Sequence, residues 1–154
     1  KAKEFEDIPL FQAPGRTRAF LKIQEGCTNF CSYCIIPYAR GRVRSRKMEE
    51  VLEEITNLTK HGCQEFVITG IHVTSYGKDL GDVTLIDLLE EIAKIPEVKR
   101  IRLGSLEPGF ITKDTLDRLS KMESFCPHFH LSLQSGCDSV LKRMNRKYTT
   151  QDIR

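Results

Sequence analysis

The sequence predicts an α/β fold whose parallel sheet either curves into part of a barrel or stays an open α/β sheet. Short apolar runs typical of strands alternate with longer segments whose apolar residues recur at helical spacing, for about four strand–helix units. Strands joined by helices of this kind imply right-handed crossovers and a parallel sheet. Because 154 residues provide one sizeable core but not two ordinary domains, we expect a single core domain over residues 18–154.

The first strand–helix unit follows a stretch without periodicity. Residues 1–17 contain turn-favouring prolines and a glycine, and we expect them to form a linker or an extended arm. A strand is predicted from Phe20, and a group of cysteines follows it directly on a loop. A helix is predicted from Met48 to about Lys60, and Gly62 is its expected stop.

Three further units complete the predicted order of elements. Strands are expected at residues 66–68, 101–103 and 129–133. Helices are expected at residues 84–96, 112–123 and 139–144, and Thr84 with Asp87 resembles a helix N-terminal box in the first of them. Sites in such folds lie beyond the carboxyl ends of the strands. The chemistry is therefore expected after the strands, at residues 26–46, 70–78, 104–109 and 134–136.

Composition and charge restrict the possible partners only weakly. Charged residues make up 29% of the chain and the formal net charge is +3, which permits an anionic partner such as RNA without requiring one. No window approaches the roughly 18 apolar residues of a membrane span, and residues 1–6 lack the apolar stretch of a secretory signal. We therefore expect a cytoplasmic protein with no membrane partner.

Three of the six cysteines, Cys27, Cys31 and Cys34, fall within a stretch of eight residues. Thiolates are preferred ligands of iron–sulfur clusters and of zinc. A four-iron cluster has four corners, so three cysteines leave one iron without a protein ligand. The amino and carboxylate groups of S-adenosylmethionine can chelate that iron, which holds the sulfonium close enough to accept an electron.

Other interpretations of the cysteines remain open. Zinc usually takes a fourth cysteine or histidine, and none of the candidates lies at ordinary finger spacing: His61, His72, Cys63 and Cys137. A disulfide among the three would leave one thiol over. The alternative from another class is a zinc-binding or RNA-binding module without catalysis. The cysteines at positions 63, 126 and 137 are expected to be small buried hydrophobes.

The residues around the cysteines resemble a known family. A CxxxCxxC arrangement with an aromatic, Tyr33, before the third cysteine is the signature of radical S-adenosylmethionine enzymes. Further stretches resemble the methylthiotransferase branch of that family, at residues 16–27, 34–41, 44–46, 69–77, 105–108, 130–136 and 144–149. Within the branch, the Ile-His pair after Gly70 and the Ser-Leu-Glu-Pro run resemble the subgroup that modifies threonylcarbamoyladenosine in tRNA.

The resemblance implies a partial (β/α) barrel of the radical S-adenosylmethionine type and a particular reaction. A 5′-deoxyadenosyl radical would abstract hydrogen from adenine C2 beside the anticodon, and a methylthio group would be installed there. The implied cofactors are a 4Fe-4S cluster and S-adenosylmethionine. The implied partners are tRNA and a reductant that supplies electrons. Isopentenyladenosine in tRNA, or a ribosomal protein, is the alternative substrate.

The chain departs from the family pattern in its length. Family members resemble a three-part chain, with an N-terminal domain that carries three further cysteines and a C-terminal RNA-binding β-barrel, and their core has six strand–helix units. About four units are recognised here, so we expect a truncated core. Such a chain should bind the first cluster and S-adenosylmethionine without completing sulfur insertion.

The resemblance also implies roles for residues that follow the strands. The implied ligands of S-adenosylmethionine are Tyr33, Gly70, Ser105, Glu107 and Gln134. Ordinary alternatives are cluster shielding for Tyr33, a turn for Gly70 and a solvated loop acid for Glu107. Arg40 and Arg44 are candidates for contacts with phosphates or a cofactor carboxylate, and otherwise belong to a solvated basic face.

Overall fold

The computed structural model describes residues 15–153, which form the predicted α/β fold. The main sheet contains β1 (Arg18–Glu25), β2 (Arg44–Ser45), β3 (Glu65–Gly70) and β4 (Arg100–Leu103), in the order β2-β1-β3-β4. As predicted, β3 pairs in parallel with both β1 and β4, whereas β2 runs antiparallel to β1 at the edge. Nearly all of the predicted arm, residues 1–17, lies outside the described residues.

Helices connect the strands in the predicted order. They are α1 (Ile36–Ala39), α2 (Met48–Lys60), α3 (Leu85–Ala93), α4 (Lys113–Leu119) and α5 (Asp138–Arg143). The N-terminal box of α3 is present, because the Thr84 hydroxyl accepts from the Asp87 amide and the Asp87 carboxylate accepts from the Thr84 amide. A short parallel pair, β5 (Ser105–Leu106) with β6 (His130–Leu131), follows the main sheet along the chain.

The core lies between one face of the sheet and the helices packed on it. Alternate side chains of the strands and the inner stripes of α2 and α3 are fully buried together, among them Leu21, Ile23, Phe66, Ile68, Val51, Ile55, Leu88, Leu89 and Ile92. On the opposite face of β1 the side chain of Phe20 is 58% exposed. A sheet with helices on one face and an open inner face is the geometry of a barrel arc.

Several element boundaries differ from the prediction, and tertiary contacts explain them. The third predicted helix ends at Leu119 instead of residue 123, because the chain then turns to bond β4. There the Ile101 amide donates to the Ser124 carbonyl (2.8 Å) and the Cys126 amide donates to the Ile101 carbonyl (3.0 Å). The strand predicted at residues 129–133 shrinks to β6, which has only the two residues of β5 to pair with. β2, β5 and α1 were missed because they are too short for a periodic pattern.

The parallel strands direct the segments that follow them to one edge of the sheet. The cysteine loop follows β1, residues 71–78 follow β3, and Gly104 follows β4. These are the segments in which the sequence predicts the chemistry. None of the helices in the described part of the chain is both long enough and apolar enough to cross a membrane.

The opposite edge carries a group of paired charges. The buried carboxylate of Glu65 accepts from the Nε atoms of Arg18 (2.9 Å), Arg100 (3.0 Å) and Arg102 (2.8 Å). The strand register places Arg18 and Arg100 directly beside Glu65. Burial by itself would raise the pKa of Glu65, but the hydrogen bonds from Arg100, Arg102 and Arg18 outweigh it and lower the pKa to about 2. The ionised glutamate therefore ties three neighbouring strands together.

We expect the Glu65→Gln variant to be less stable than the wild type at neutral pH and to approach it in acid. The folded pKa of about 2 lies below the ordinary value of 4.5, so the stabilisation is complete above about pH 4.5 and is lost as the pH falls toward 2. Urea unfolding at a series of pH values measures the difference between the two proteins. A difference that does not shrink in acid would contradict the assignment, and Glu53→Gln, at an exposed position of α2, is the control.

Candidate metal centre

The cysteine loop begins with a turn that only glycine fits. Gly26 has a φ of +69°, and a Cβ atom there would lie 1.8 Å from the Arg42 carbonyl oxygen. The next residue, Cys27, donates its amide to the Gly41 carbonyl at 3.0 Å. The outgoing and returning limbs of the loop therefore touch at its base, which fixes the position of the Cys27 backbone.

A buried amide side chain, Gln24, joins this base to the segment after β3. Its Nε2 donates to the carbonyls of Glu25 (2.6 Å) and Gly26 (2.7 Å), and its Oε1 accepts from the His72 amide (2.7 Å). Gly70 packs directly against it, since a Cβ atom on Gly70 would lie 2.9 Å from Oε1 of Gln24. Packing against Gln24 is thus the visible reason for a glycine at position 70, and its predicted contact with the cofactor stays a prediction.

The three thiols of the loop are partly exposed and form no disulfide. Burial raises the pKa of Cys27, and the negative charges of Cys31, Cys34 and Glu107 raise it further, against the hydrogen bond from the Asn29 amide. Ionisation of three thiols beside a carboxylate would place several negative charges together, which a cationic centre would compensate. Within residues 15–153, no three side chains among His, Cys, Asp and Glu converge on a single ion position. An iron–sulfur cluster takes one thiolate for each iron and does not require such convergence.

The carboxylate of Glu107 brings the segments after different strands together. It accepts from Nδ2 of Asn29 at 3.2 and 3.3 Å and from Nε2 of His72 at 2.9 Å. The Ser75 hydroxyl lies against Nδ1 of His72, which is consistent with the proton being on Nε2. The hydrogen bond from His72 is the main reason that the pKa of Glu107 is lowered, against the effect of burial. Glu107 is therefore held as a carboxylate beside the cysteine loop.

Residues near the end of the chain also reach this loop. The Ser32 amide donates to the Met144 carbonyl (3.1 Å), and Nδ2 of Asn145 donates to the Phe30 carbonyl (2.9 Å). Nη1 of Arg146 lies 3.3 Å from Sγ of Cys31. The roles of Gln24, Asn29, Asn145 and Arg146 were not predicted from the sequence. Gln24 leaves a local signal, as a polar residue near the end of a buried strand and two residues before Gly26, and Asn145 and Arg146 lie in the stretch 144–149 that resembles the methylthiotransferases.

The other predicted site residues lie in different surroundings. Tyr33 is 55% exposed on the cysteine loop, and Arg40 is exposed on its returning limb. Ser105 is exposed, with its hydroxyl 3.4 Å from Nδ1 of His130, and Gln134 is exposed with a φ of +63°. Ser105 begins β5, and Gln134 follows β6. Their roles as cofactor ligands stay predictions.

Arg44 is buried, and its guanidinium bonds to other groups of the protein. It is 8% exposed, its Nη2 lies 3.1 Å from Oε2 of Glu25, and its Nη1 donates to the carbonyls of Arg40 (2.8 Å) and Arg42 (3.1 Å). These bonds close the returning limb of the loop onto β1. A contact of Arg44 with a phosphate would have to compete with them, whereas Arg40 points its side chain to solvent.

The three cysteines outside the loop behave differently from one another. Cys63 is fully buried, as expected, and Cys126 is half-buried. The expectation is wrong for Cys137, which is exposed at the start of α5. Its neighbours are the polar turn and helix cap of residues 135–139 and not the apolar core, so position along the chain gave no indication of its burial.

Relatives of known sequence place the chain among enzymes. A family model described as the Radical SAM superfamily matches residues 21–154. The threonylcarbamoyladenosine tRNA methylthiotransferase MtaB of Bacillus subtilis (strain 168) is 45% identical over 152 residues, which make up 98% of this chain and 34% of that protein. The tRNA-2-methylthio-N(6)-dimethylallyladenosine synthase of Acetivibrio thermocellus is 44% identical over 148 residues, 96% of this chain and 31% of that protein. The chain spans about a third of the length of these relatives.

Solved structures share the fold at low sequence identity. The radical S-adenosylmethionine methyltransferase TsrM from Kitasatospora setae, with cobalamin and a [4Fe-4S] cluster bound, matches with a TM-score of 0.66 at 20% identity, over 86% of this chain and 26% of that one. The cobalamin-dependent S-adenosylmethionine radical enzyme OxsB, with aqua-cobalamin and S-adenosylmethionine bound, matches with a TM-score of 0.64 at 15% identity, over 87% of this chain and 21% of that one. These matches confirm the predicted fold class.

We expect Gly26→Ala to remove most of the capacity to bind iron and sulfide while the sheet and helices persist. The added Cβ would meet a backbone carbonyl, and the positive φ disfavours alanine, so the base of the loop must open at a cost of about 1 kcal/mol or more. Iron and sulfide per chain after anaerobic reconstitution measure the loss, and far-ultraviolet circular dichroism checks the fold. Gly109→Ala is the matched control, because a Cβ there meets nothing within 4 Å. Wild-type iron content in Gly26→Ala would refute the expectation.

Proposed function

The chain belongs to the radical S-adenosylmethionine superfamily, and we propose that it is the core of a methylthiotransferase that modifies an adenosine of tRNA. The cofactors of this superfamily are a 4Fe-4S cluster and S-adenosylmethionine. Since the chain spans about a third of its relatives' length, the complete transfer of sulfur is assigned to the longer protein. This chain supplies the cluster loop, the cofactor pocket and part of the substrate surface.

One observation carries the proposal: direct contacts join the cysteine loop to the Glu107 carboxylate, although 80 residues separate Cys27 from Glu107 in sequence. Nδ2 of Asn29, on the loop, donates to Glu107 at 3.2 Å. Arg146 lies 3.3 Å from Sγ of Cys31 and 3.2 Å from Oε1 of Glu107. Cys27, Cys31 and Cys34 would hold three irons and leave the fourth open. When bound, the cluster and S-adenosylmethionine supply the one-electron cleavage of a carbon–sulfur bond.

Glu107 is suited to bind the ammonium group of the cofactor's methionine end. A carboxylate offers about four acceptor sites, and Asn29, His72 and Arg146 make four contacts with its two oxygens, two of them from the single Nδ2 group of Asn29. An ammonium group can replace one of the two long contacts of Asn29 with a charge-assisted hydrogen bond. His72 keeps the carboxylate ionised and fixes its orientation, since it is itself held by Ser75.

We propose threonylcarbamoyladenosine as the nucleoside from the sequence resemblance and from a relative named for it. The threonylcarbamoyladenosine subgroup was predicted from a histidine after Gly70 and a glutamate before Pro108, and these two side chains bond each other at 2.9 Å. The two sequence features thus form one structural unit of the pocket. Dimethylallyladenosine is the second candidate, because relatives named for it are nearly as similar, at 44% identity against 45%.

The returning limb of the cysteine loop has the chemistry of an RNA-binding surface. Residues 26–47 contain five cations and no Asp or Glu. Arg44 and Arg46 are buried in pairs with Glu25 and Glu54, which leaves three exposed cations: Arg40, Arg42 and Lys47. Exposed rings stand beside them, since Phe30 and Tyr38 are 48% and 60% exposed with their centroids 5.7 Å apart. Cations next to exposed aromatics suit phosphates next to unstacked bases.

We expect the wild-type chain to bind a four-iron cluster whose electron paramagnetic resonance signal, after reduction, shifts when S-adenosylmethionine is added. Cys31→Ala should lose the cluster, because two thiolates cannot hold three corners. Cys137→Ala, at an exposed cysteine outside the loop, should load like the wild type. Anaerobic reconstitution with iron and sulfide, followed by reduction with dithionite, provides the samples. A signal that ignores S-adenosylmethionine, or zinc in place of iron and sulfide, would sink the proposal.

We expect the double variant Arg40→Gln, Arg42→Gln to bind an anticodon stem-loop RNA more weakly than the wild type. Two lost phosphate contacts should reduce the slope of log affinity against log salt by about 1 to 2. Fluorescence anisotropy with a labelled stem-loop at several salt concentrations measures both quantities. The matched control removes two exposed cations at the opposite edge of the sheet, as Lys94→Gln with Lys99→Gln. Equal slopes in the two double variants would show that the loop is not the RNA surface.

A further inference from the structure

Residues 143–148, which follow α5, form a clamp on the cysteine loop. Two bonds join the clamp to Ser32, whose amide donates to the Met144 carbonyl (3.1 Å) and whose hydroxyl donates to the Arg143 carbonyl (2.9 Å). Nδ2 of Asn145 donates to the carbonyls of Phe30 (2.9 Å) and Asn29 (3.3 Å). Asn145 takes a φ of +57° to do so, a conformation that asparagine tolerates better than most residues. The clamp therefore braces the middle of the loop, between Cys27 and Cys34.

The clamp places the buried guanidinium of Arg146 beside the thiol of Cys31. Its side chain is 9% exposed, with Nη1 3.3 Å from Sγ of Cys31 and Nη2 3.2 Å from Oε1 of Glu107. Its Nε donates to the Tyr148 hydroxyl at 3.2 Å, and Nη2 lies 3.4 Å from the Ser132 carbonyl oxygen. The cation thus lies between a thiol that we assign to the cluster and the carboxylate that we assign to the cofactor.

Tyr148 keeps the guanidinium from turning away. Its hydroxyl lies 2.8 Å from the carbonyl oxygens of both Ser132 and Leu133, so the ring is fixed to the segment after β6. The guanidinium carbon of Arg146 lies 5.0 Å from the centroid of that ring. With its donors directed at four partners, Arg146 presents one particular N–H to Cys31. A lysine cannot reproduce this fork, because its ammonium is a point charge on a flexible stem.

We propose that Arg146 is a positioning residue that orients the Cys31 ligand and raises the reduction potential of the cluster. This inference rests on the proposed binding of a cluster by Cys31. Reduction adds one electron from the external reductant and no proton, so the site becomes more negative by one charge. A cation that donates a hydrogen bond to a ligand sulfur stabilises the reduced form more than the oxidised one. The ion pair with Glu107 connects the same cation to the cofactor pocket.

The test compares Arg146→Gln with other variants. These distinguish the effect of the positive charge at position 146 from the effect of the hydrogen bonds that hold the cysteine loop in place. Arg143→Gln removes an equal charge from an exposed position three residues earlier. Asn145→Ala removes two of the bonds that brace the loop and keeps Arg146. Arg146→Lys restores the charge without the fork. For each reconstituted protein, a redox titration followed by electron paramagnetic resonance gives the midpoint potential, and iron and sulfide content gives the loading.

We expect Arg146→Gln to shift the midpoint potential to a more negative value, Arg146→Lys to recover part of the shift, Arg143→Gln to stay near the wild type, and Asn145→Ala to shift the potential less than Arg146→Gln does. If Arg146→Gln loads no cluster while Asn145→Ala loads normally, a role beyond bracing is still supported. A wild-type potential in Arg146→Gln would overturn the inference, as would equal loss of the cluster in Arg146→Gln and Asn145→Ala. Failure of the wild type itself to load would refute the proposed function instead.

Discussion

The buried amide of Gln24 is the interaction on which the rest of the site depends. It satisfies the carbonyls of Glu25 and Gly26 on one side and the His72 amide on the other, with no exposure to solvent. An unsatisfied polar group at that depth would cost about 1–3 kcal/mol, so the segments after β1 and β3 must keep this arrangement. The segment after β1 is the cysteine loop, and the segment after β3 contains His72, which holds Glu107. The parallel sheet brings the two together, and Gln24 locks them in register.

Charge is divided between the two edges of the sheet according to its task. At the amino edge, the carboxylate of Glu65 forms ion pairs with three arginines and so joins β1, β3 and β4. At the carboxyl edge, three thiols lie on the loop beside the Glu107 carboxylate, and the Arg146 cation lies between Cys31 and Glu107. The first group stabilises the fold, whereas the second contains groups whose negative charges, once the thiols ionise, a cationic cluster core would compensate. Stability and chemistry thus lie at opposite ends of the same strands.

The cysteine loop is held from both sides by parts of the chain that are distant in sequence. Arg44 fastens its returning limb to Glu25, and Asn145 fastens its middle from the clamp after α5. Arg44 and Arg146 both bond to other groups of the protein, and Arg146 also lies against the Cys31 thiol. The exposed cations, such as Arg40, are available to bind an external anion. Burial separates the two exposed arginines of the returning limb, Arg40 and Arg42, from the two buried ones that follow them, Arg44 and Arg46.

The sequence by itself determined the fold class, the order of the long elements and the position of the cysteine loop after β1. Periodic apolar residues specify α2, α3 and β1 locally, and the spacing of three cysteines limits the metal chemistry without reference to the rest of the chain. Glu107 was also predicted as a site residue from a short motif, and it lies beside that loop. The tertiary structure alone decided that Arg44 turns inward, that Cys137 lies at the surface and that Arg146 meets Cys31 across 115 residues. Such contacts form where the strands bring segments that are distant in sequence close together in space. A local sequence pattern does not specify which distant segments meet.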